Sequence, residues 1–193
     1  MGYSPREALR WLRDGNARFA AGKPRDRYTA AERAASVEGQ RPWAVIVGCS
    51  DSRVPVEAIF DAGVGELFVV RTAGHVLTEA SYASVRFALE KLGTRLIVVL
   101  GHEDCGAVNA ALAGNAPEWL EPITGAIDVA GVTPAAAPPD ADDPLLAAAV
   151  DAHVRNTVRA LRDWLDSIDL VAGEPLVTGA AYKLASGEVH WLD

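Results

Sequence analysis

Two short runs constrain the fold of this chain more than anything else in it: Trp43–Gly48 (WAVIVG) and Leu96–Leu100 (LIVVL). Both are continuously apolar and rich in β-branched residues. A strand with one face in water alternates apolar and polar residues, whereas a strand covered on both faces does not. Such runs belong inside a parallel sheet with helices on either side. Leu67–Val70 is a third run of this kind. Helical patterns separate the three, at Val56–Phe60 and at Thr78–Leu92, the latter closed by Gly93. The β-α-β-α-β order predicts one α/β domain with a largely parallel central sheet flanked by helices.

The flanks extend this plan. Ser4-Pro5-Arg6-Glu7 and Thr29-Ala30-Ala31-Glu32 both carry the capping-box pattern that opens a helix. Residues 1–38 are therefore expected to form an N-terminal helical arm that lies on the core or on a second copy of the chain. Residues 39–193 hold the α/β domain. Leu145–Ile168 predicts a long helix, and Leu176–Tyr182 with Glu188–Leu192 an edge hairpin turning at Ser186-Gly187. Between Asn115 and Pro144 the Pro, Ala and Asp content predicts mostly loop, with weak helical signals near Trp119–Ile127.

Composition excludes several classes of function. At 193 residues there is room for one ordinary domain. Acidic residues outnumber basic ones 26 to 18, and no Lys/Arg cluster stands out, so neither nucleic acid nor an anionic membrane surface is an expected partner. No apolar stretch approaches the ~18 residues of a membrane span. The opening MGYSPREALRWLRDG lacks the apolar run of a secretory signal, and Arg6 stands where a myristoylation signal needs Ser or Thr. The expected location is the cytoplasm, where the two cysteines, Cys49 and Cys105, remain thiols.

The chemistry collects where two core runs end. In open α/β sheets, ligands sit beyond the carboxyl ends of the strands. The first run leads into Cys49-Ser50-Asp51-Ser52-Arg53, and the other into His102-Glu103-Asp104-Cys105-Gly106. If those strands are neighbours, two sulfurs and an imidazole converge. Thiolate and imidazole are preferred zinc ligands, and three protein ligands with one open corner is a catalytic arrangement. The i, i+3 spacing of His102 and Cys105 would put them on one side of a helical turn. In extended backbone Asp51 and Arg53 would point the same way, so Arg53 can clamp the Asp51 carboxylate through two N–H groups. The carboxylate then keeps capacity to accept a hydrogen bond from hydroxide on the metal; released from Arg53, it would instead become a fourth ligand.

C-S-D-S-R at Cys49–Arg53 together with H-x-x-C-G at His102–Gly106 resembles the β-class carbonic anhydrases. Gly65–Gly74 (GELFVVRTAG) and Leu96–Leu112 (LIVVLGHEDCGAVNAAL) are similar to the same family. The resemblance implies reversible hydration of CO2 to bicarbonate and a proton, one Zn2+ per chain held by Cys49, His102 and Cys105, and catalytic roles for Asp51 and Arg53. It implies a homodimer or a dimer of dimers with the active site at the subunit boundary. It also implies substrate contacts from Gln40, Phe68, Phe87 and the Gly106 N–H. An inhibitory bicarbonate site of some bacterial members uses Trp, Arg and Tyr; Arg71 and Tyr182 match, but Ile46 replaces the Trp, which favours an open metal.

Other readings compete with these. Hydrolysis of COS or CS2 would use the same metal and the same linear apolar pocket. A non-catalytic zinc-stabilised module would close the site with a fourth protein ligand. A phosphatase loop is excluded, because Ser50-Asp51-Ser52 is too short a link between Cys49 and Arg53. His75 is expected to be structural, His153 and His190 to lie at a surface or interface, and Trp11, Trp119, Trp164 and Trp191 to be packing residues.

Overall fold

The computed structural model describes residues 3–139, 141–170 and 173–192. Its centre is a five-stranded sheet in the order β2-β1-β3-β4-β5. The strands are β1 (Ala44–Cys49), β2 (Leu67–Thr72), β3 (Leu96–His102), β4 (Leu176–Tyr182) and β5 (Val189–Leu192). The first four pair in parallel, and β5 closes the edge as an antiparallel hairpin partner of β4. Every residue of β1 and β3 is buried, as their unbroken apolar runs require.

Because side chains alternate across a strand, neighbours in each run feed different layers. Ile46, Val98 and Leu100 pack with α1 (Pro5–Ala20) and α3 (Val56–Ile59) through Leu12, Ile59 and Phe60. Val45, Val47 and Val99 face the opposite way, toward Val85 and Leu89 of α4 (Glu79–Lys91) and Val154 and Leu161 of α7 (Pro144–Asp166). Each such fully buried aliphatic side chain contributes on the order of 2 kcal/mol.

The N-terminal segment is tied to its own chain. A Cβ on Gly15 would fall 1.9 Å from the Phe60 carbonyl oxygen, so α1 docks on glycine backbone at that point. The buried Asn16 amide donates to the carbonyls of Ile59 (3.2 Å) and Gly187 (2.8 Å), and its oxygen accepts from Val189 N (2.9 Å). The Thr29 capping box forms on α2 (Ala30–Ala35), with Glu32 N donating to the Thr29 hydroxyl (3.2 Å). Ser4 adopts the expected cap backbone but makes no side-chain cap bond.

One expectation holds here and one fails. The segment read as mostly loop is mostly loop, its short helical pieces at Glu118–Leu120 (3-10) and α6 (Glu121–Thr124) falling where the weak helical signals stood, with one further 3-10 turn at Pro134–Ala136. Ile127 from this segment is buried against Cys49, Cys105 and Val108, so the stretch covers one end of the sheet. Trp119 is 76% exposed rather than a packing residue of this chain. Ile46 is a core residue without a hydrogen-bond donor, in keeping with its apolar side chain.

Candidate metal centre

β1 and β3 are direct neighbours in register Gly48↔Leu100, so their carboxyl ends leave the sheet side by side. Cys49 is the last residue of β1 and His102 the last of β3. Cys105 is the N-cap of α5 (Gly106–Ala113). The ligand atoms of Cys49, His102 and Cys105 all lie within 4.8 Å of one another, and all three residues are buried.

The link between His102 and Cys105 is a tight turn and not the helical turn their spacing suggested. Asp104 takes a left-handed conformation (φ 52°), which lets the chain reverse from β3 into α5 within three residues. Cys105 thereby sits at a helix start, where backbone N–H groups favour a thiolate.

The donor set fits a soft divalent cation. His102 Nδ1 lies 2.7 Å from the Glu103 carbonyl oxygen and so carries the proton, leaving Nε2 bare. That Nε2 is buried and has no hydrogen-bond partner. A buried acceptor without a partner is costly, and a metal removes the cost. The two sulfurs share one proton between them. The Cys105 thiol hydrogen bond holds Cys49 down at about 4 against burial, aided by the Asp51 and Gly74 amides. The same contact with Cys49, together with burial, pushes Cys105 up. A cation replaces the shared proton and lets both sulfurs be thiolates. Zinc suits two thiolates and an imidazole.

Asp51 and Arg53 flank this centre as expected, by a different route. Residues 51–54 form a turn closed by Val54 N donating to Asp51 O (3.1 Å), so the two side chains meet across a bend rather than along an extended strand. Arg53 donates through Nε to Asp51 Oδ1 (3.0 Å) and through Nη2 to Oδ2 (2.8 Å), and its backbone N–H adds a bond to Oδ1 (2.8 Å). These bonds hold the Asp51 carboxyl at about 2, against a smaller opposing push from burial. Asp51 Oδ2 lies 4.0 Å from His102 Nε2, yet the carboxylate stays outside the three-residue ligand group.

Several supports were not assigned from the sequence. Asp104 joins the clamp, accepting from Arg53 Nη1 at Oδ2 (2.9 Å) and from Nη2 at its carbonyl (3.0 Å). Arg71 at the end of β2 donates to the carbonyls of Cys49 (2.8 Å) and Asp51 (2.7 Å), bracing the loop that carries both. Its place beside β1 in a parallel sheet would have been the signal. Gly74, in a 3-10 turn Ala73–His75, donates its N–H to Cys49 Sγ at 3.3 Å. His75 is buried, as expected of a structural residue; His153 is also buried, against expectation, because α7 presents it to the sheet.

The substrate-side residues divide into two groups. Gly106 opens α5 directly beside Cys105, its N–H among the first-turn donors that have no partner within the helix. Gln40, Phe68 and Phe87 are not brought to this centre within one chain. Phe68 pairs in register with Val45. That places it roughly 13 Å along the strand from Cys49 at about 3.3 Å per residue. Gln40 lies further still toward the amino ends, beside Gly65. Phe68 and Phe87 stack at 6.2 Å, with Phe87 49% exposed.

The profile of the carbonic anhydrase family matches residues 44–189. A carbonic anhydrase of Mycolicibacterium smegmatis is 41% identical over 202 residues, covering 97% of this chain and 93% of that protein. Carbonic anhydrase 2 of Mycobacterium tuberculosis is 53% identical over 111 residues, an alignment that spans 57% of this chain and 54% of its own. Among solved structures, a β-carbonic anhydrase of Aspergillus fumigatus shares the fold, with a TM-score of 0.71 over 97% of this chain and 90% of that one, at 23% identity. This chain belongs to the carbonic anhydrase family, in its β class.

Proposed function

We propose that this protein is a zinc-dependent carbonate dehydratase that interconverts CO2 and bicarbonate. The observation that carries the reading is the buried Cys49–His102–Cys105 group with its bare His102 nitrogen, set next to a carboxylate that Arg53 holds aside. Zinc held there supplies a water acidic enough to act as a nucleophile near neutral pH.

The protein's own groups do the rest. Arg53 keeps Asp51 ionised across the physiological range, so the carboxylate always accepts and never donates. Asp51 Oδ2 then accepts a hydrogen bond from the attacking water and turns its free lone pair toward the carbon of CO2. The Gly106 N–H meets an oxygen of the product. The proton departs to buffer. A non-catalytic zinc module requires a fourth protein ligand, and the Arg53 clamp on Asp51 speaks against one. No observation favours COS or CS2.

Phe68 and Phe87 form the apolar entrance, and Gln40 helps hold substrate, through a second copy, because their own chain holds them at the far end of the strands. The exposed Phe87 supports a homodimer or a dimer of dimers, with residues 1–38 among the contacts. No helix among the described residues is long and apolar enough to cross a membrane. The cytoplasm, which keeps both cysteines reduced, is the proposed location. Stopped-flow CO2 hydration between pH 6.5 and 9, with zinc quantified on the same sample, tests the reading. Stoichiometric zinc without acceleration over buffer rejects it.

A further inference from the structure

Cys49 is reached from a second direction, through a chain of contacts that starts on α7. Two glycines let α7 press against the sheet: a Cβ on Gly101 or on Gly179 would fall 2.6 Å from a methyl of Val154. That close approach drives the neighbouring residue, His153, into the interior, where its Nε2 lies 2.8 Å from the Gly74 carbonyl oxygen. A carbonyl only accepts, so His153 carries its proton on Nε2. His75 also turns its Nδ1 to that carbonyl, and the two imidazoles stand edge to face at 4.3 Å and 86°.

Gly74 is held in a left-handed conformation (φ 61°) at this point, with Ala107 and Ile127 only 3.0 Å from where a Cβ would lie. Its N–H, aimed by that conformation, donates to Cys49 Sγ at 3.3 Å. The N–H and the C=O of Gly74 belong to different peptide planes, so the coupling is geometric: fixing the carbonyl fixes where the amide points.

We propose that His153 is a positioning residue for the metal centre, which acts through Gly74 to set the N–H···S bond on Cys49 and thereby the thiolate's hold on the ion. Hydrogen bonds from outside the ligand set orient ligands and tune their donor strength, and their loss typically costs about 10–100-fold in metal affinity or activity. The proposal rests on Cys49 being a metal ligand.

Cobalt(II)-substituted protein tests it. The wild type should show an intense near-ultraviolet thiolate-to-cobalt band. His153→Leu should shift that band to longer wavelength, because a sulfur without its N–H donor holds its lone pairs less tightly. The same variant should release zinc to a chromogenic chelator about tenfold faster. His153→Gln, which keeps an N–H donor at similar reach, should restore both. A folded His153→Leu protein with unchanged band and release rate overturns the proposal, even if its melting temperature falls. Lack of the band in the wild type overturns the ligand assignment itself, a distinguishable failure. Two measurements need no variant. In 15N-labelled zinc protein the His153 proton should sit on Nε2, and in 113Cd-loaded protein the Gly74 amide should couple to the metal across Cys49. A proton on Nδ1, or a missing coupling, overturns it as well.

Discussion

Asp51 and Asp61 are both clamped by arginine, and they differ in burial, in sequence distance to the partner and in what lies beside them. Asp51 meets Arg53 two residues away in a turn, and the arginine side chain is 47% exposed. Asp61 is buried with a left-handed backbone (φ 47°) and collects Arg18 Nε (2.5 Å), Arg25 Nε (3.0 Å) and Arg25 N (2.8 Å) from the N-terminal segment. The first pair is local and open, beside the metal ligands. The second is remote in sequence and ties α1 and the segment after it to the body. The same kind of ion pair therefore stands at the candidate metal centre in one place and ties distant segments together in the other, and burial with sequence separation distinguishes the two.

The largest test of this contrast removes the centre that gives Asp51 its meaning. Cys49→Ser and Cys105→Ser should each reduce zinc, measured by elemental analysis, from one per chain to a small fraction. Retained stoichiometric metal would mean that the rim is not the centre described. Next, Asp51→Asn should keep zinc and cut CO2 hydration about a hundredfold, at the upper range of an outer-layer effect on a metal site, with little change in the urea midpoint.

Asp61→Asn should do the reverse. Turnover per zinc should hold, while stability falls by about 2 kcal/mol, below the range for a fully buried pair because Arg18 and Arg25 are partly exposed. A variant in which turnover falls and stability does not would erase the distinction. The same residue predicts an acid dependence. Burial pushes the Asp61 carboxyl up, but hydrogen bonds from Arg18 and Arg25 outweigh it and hold it below its ordinary value. The unfolded chain therefore takes the proton first, so this contribution is complete above the ordinary carboxylate value and disappears as pH falls through the folded one. The stability difference between wild type and Asp61→Asn should shrink across that acid window, read from urea midpoints.

The smallest effect belongs to a pair that is neither buried nor near the metal. Arg86–Glu90 on α4 is an i, i+4 surface pair at 2.7 Å. Arg86→Ala should change stability by less than about 0.5 kcal/mol and leave turnover alone.

What could be read from the residues themselves was set by local chemistry. Unbroken apolar runs announce strands covered on both faces, and the three metal ligands and the Asp51–Arg53 clamp follow from side-chain identity at strand ends. The routes by which they meet did not follow. The turn at Asp104 and the bend at residues 51–54 depend on backbone angles that spacing alone does not specify. Ile127, at the end of a segment with only weak helical signals, Arg71 on a neighbouring strand, and His153 on a helix far along the chain, the last by way of Gly74, all come to the centre through contacts across the fold. Only the tertiary structure decided those, because they depend on how closely elements distant in sequence approach, and two glycines under Val154 govern that as much as the residues that touch the sulfur.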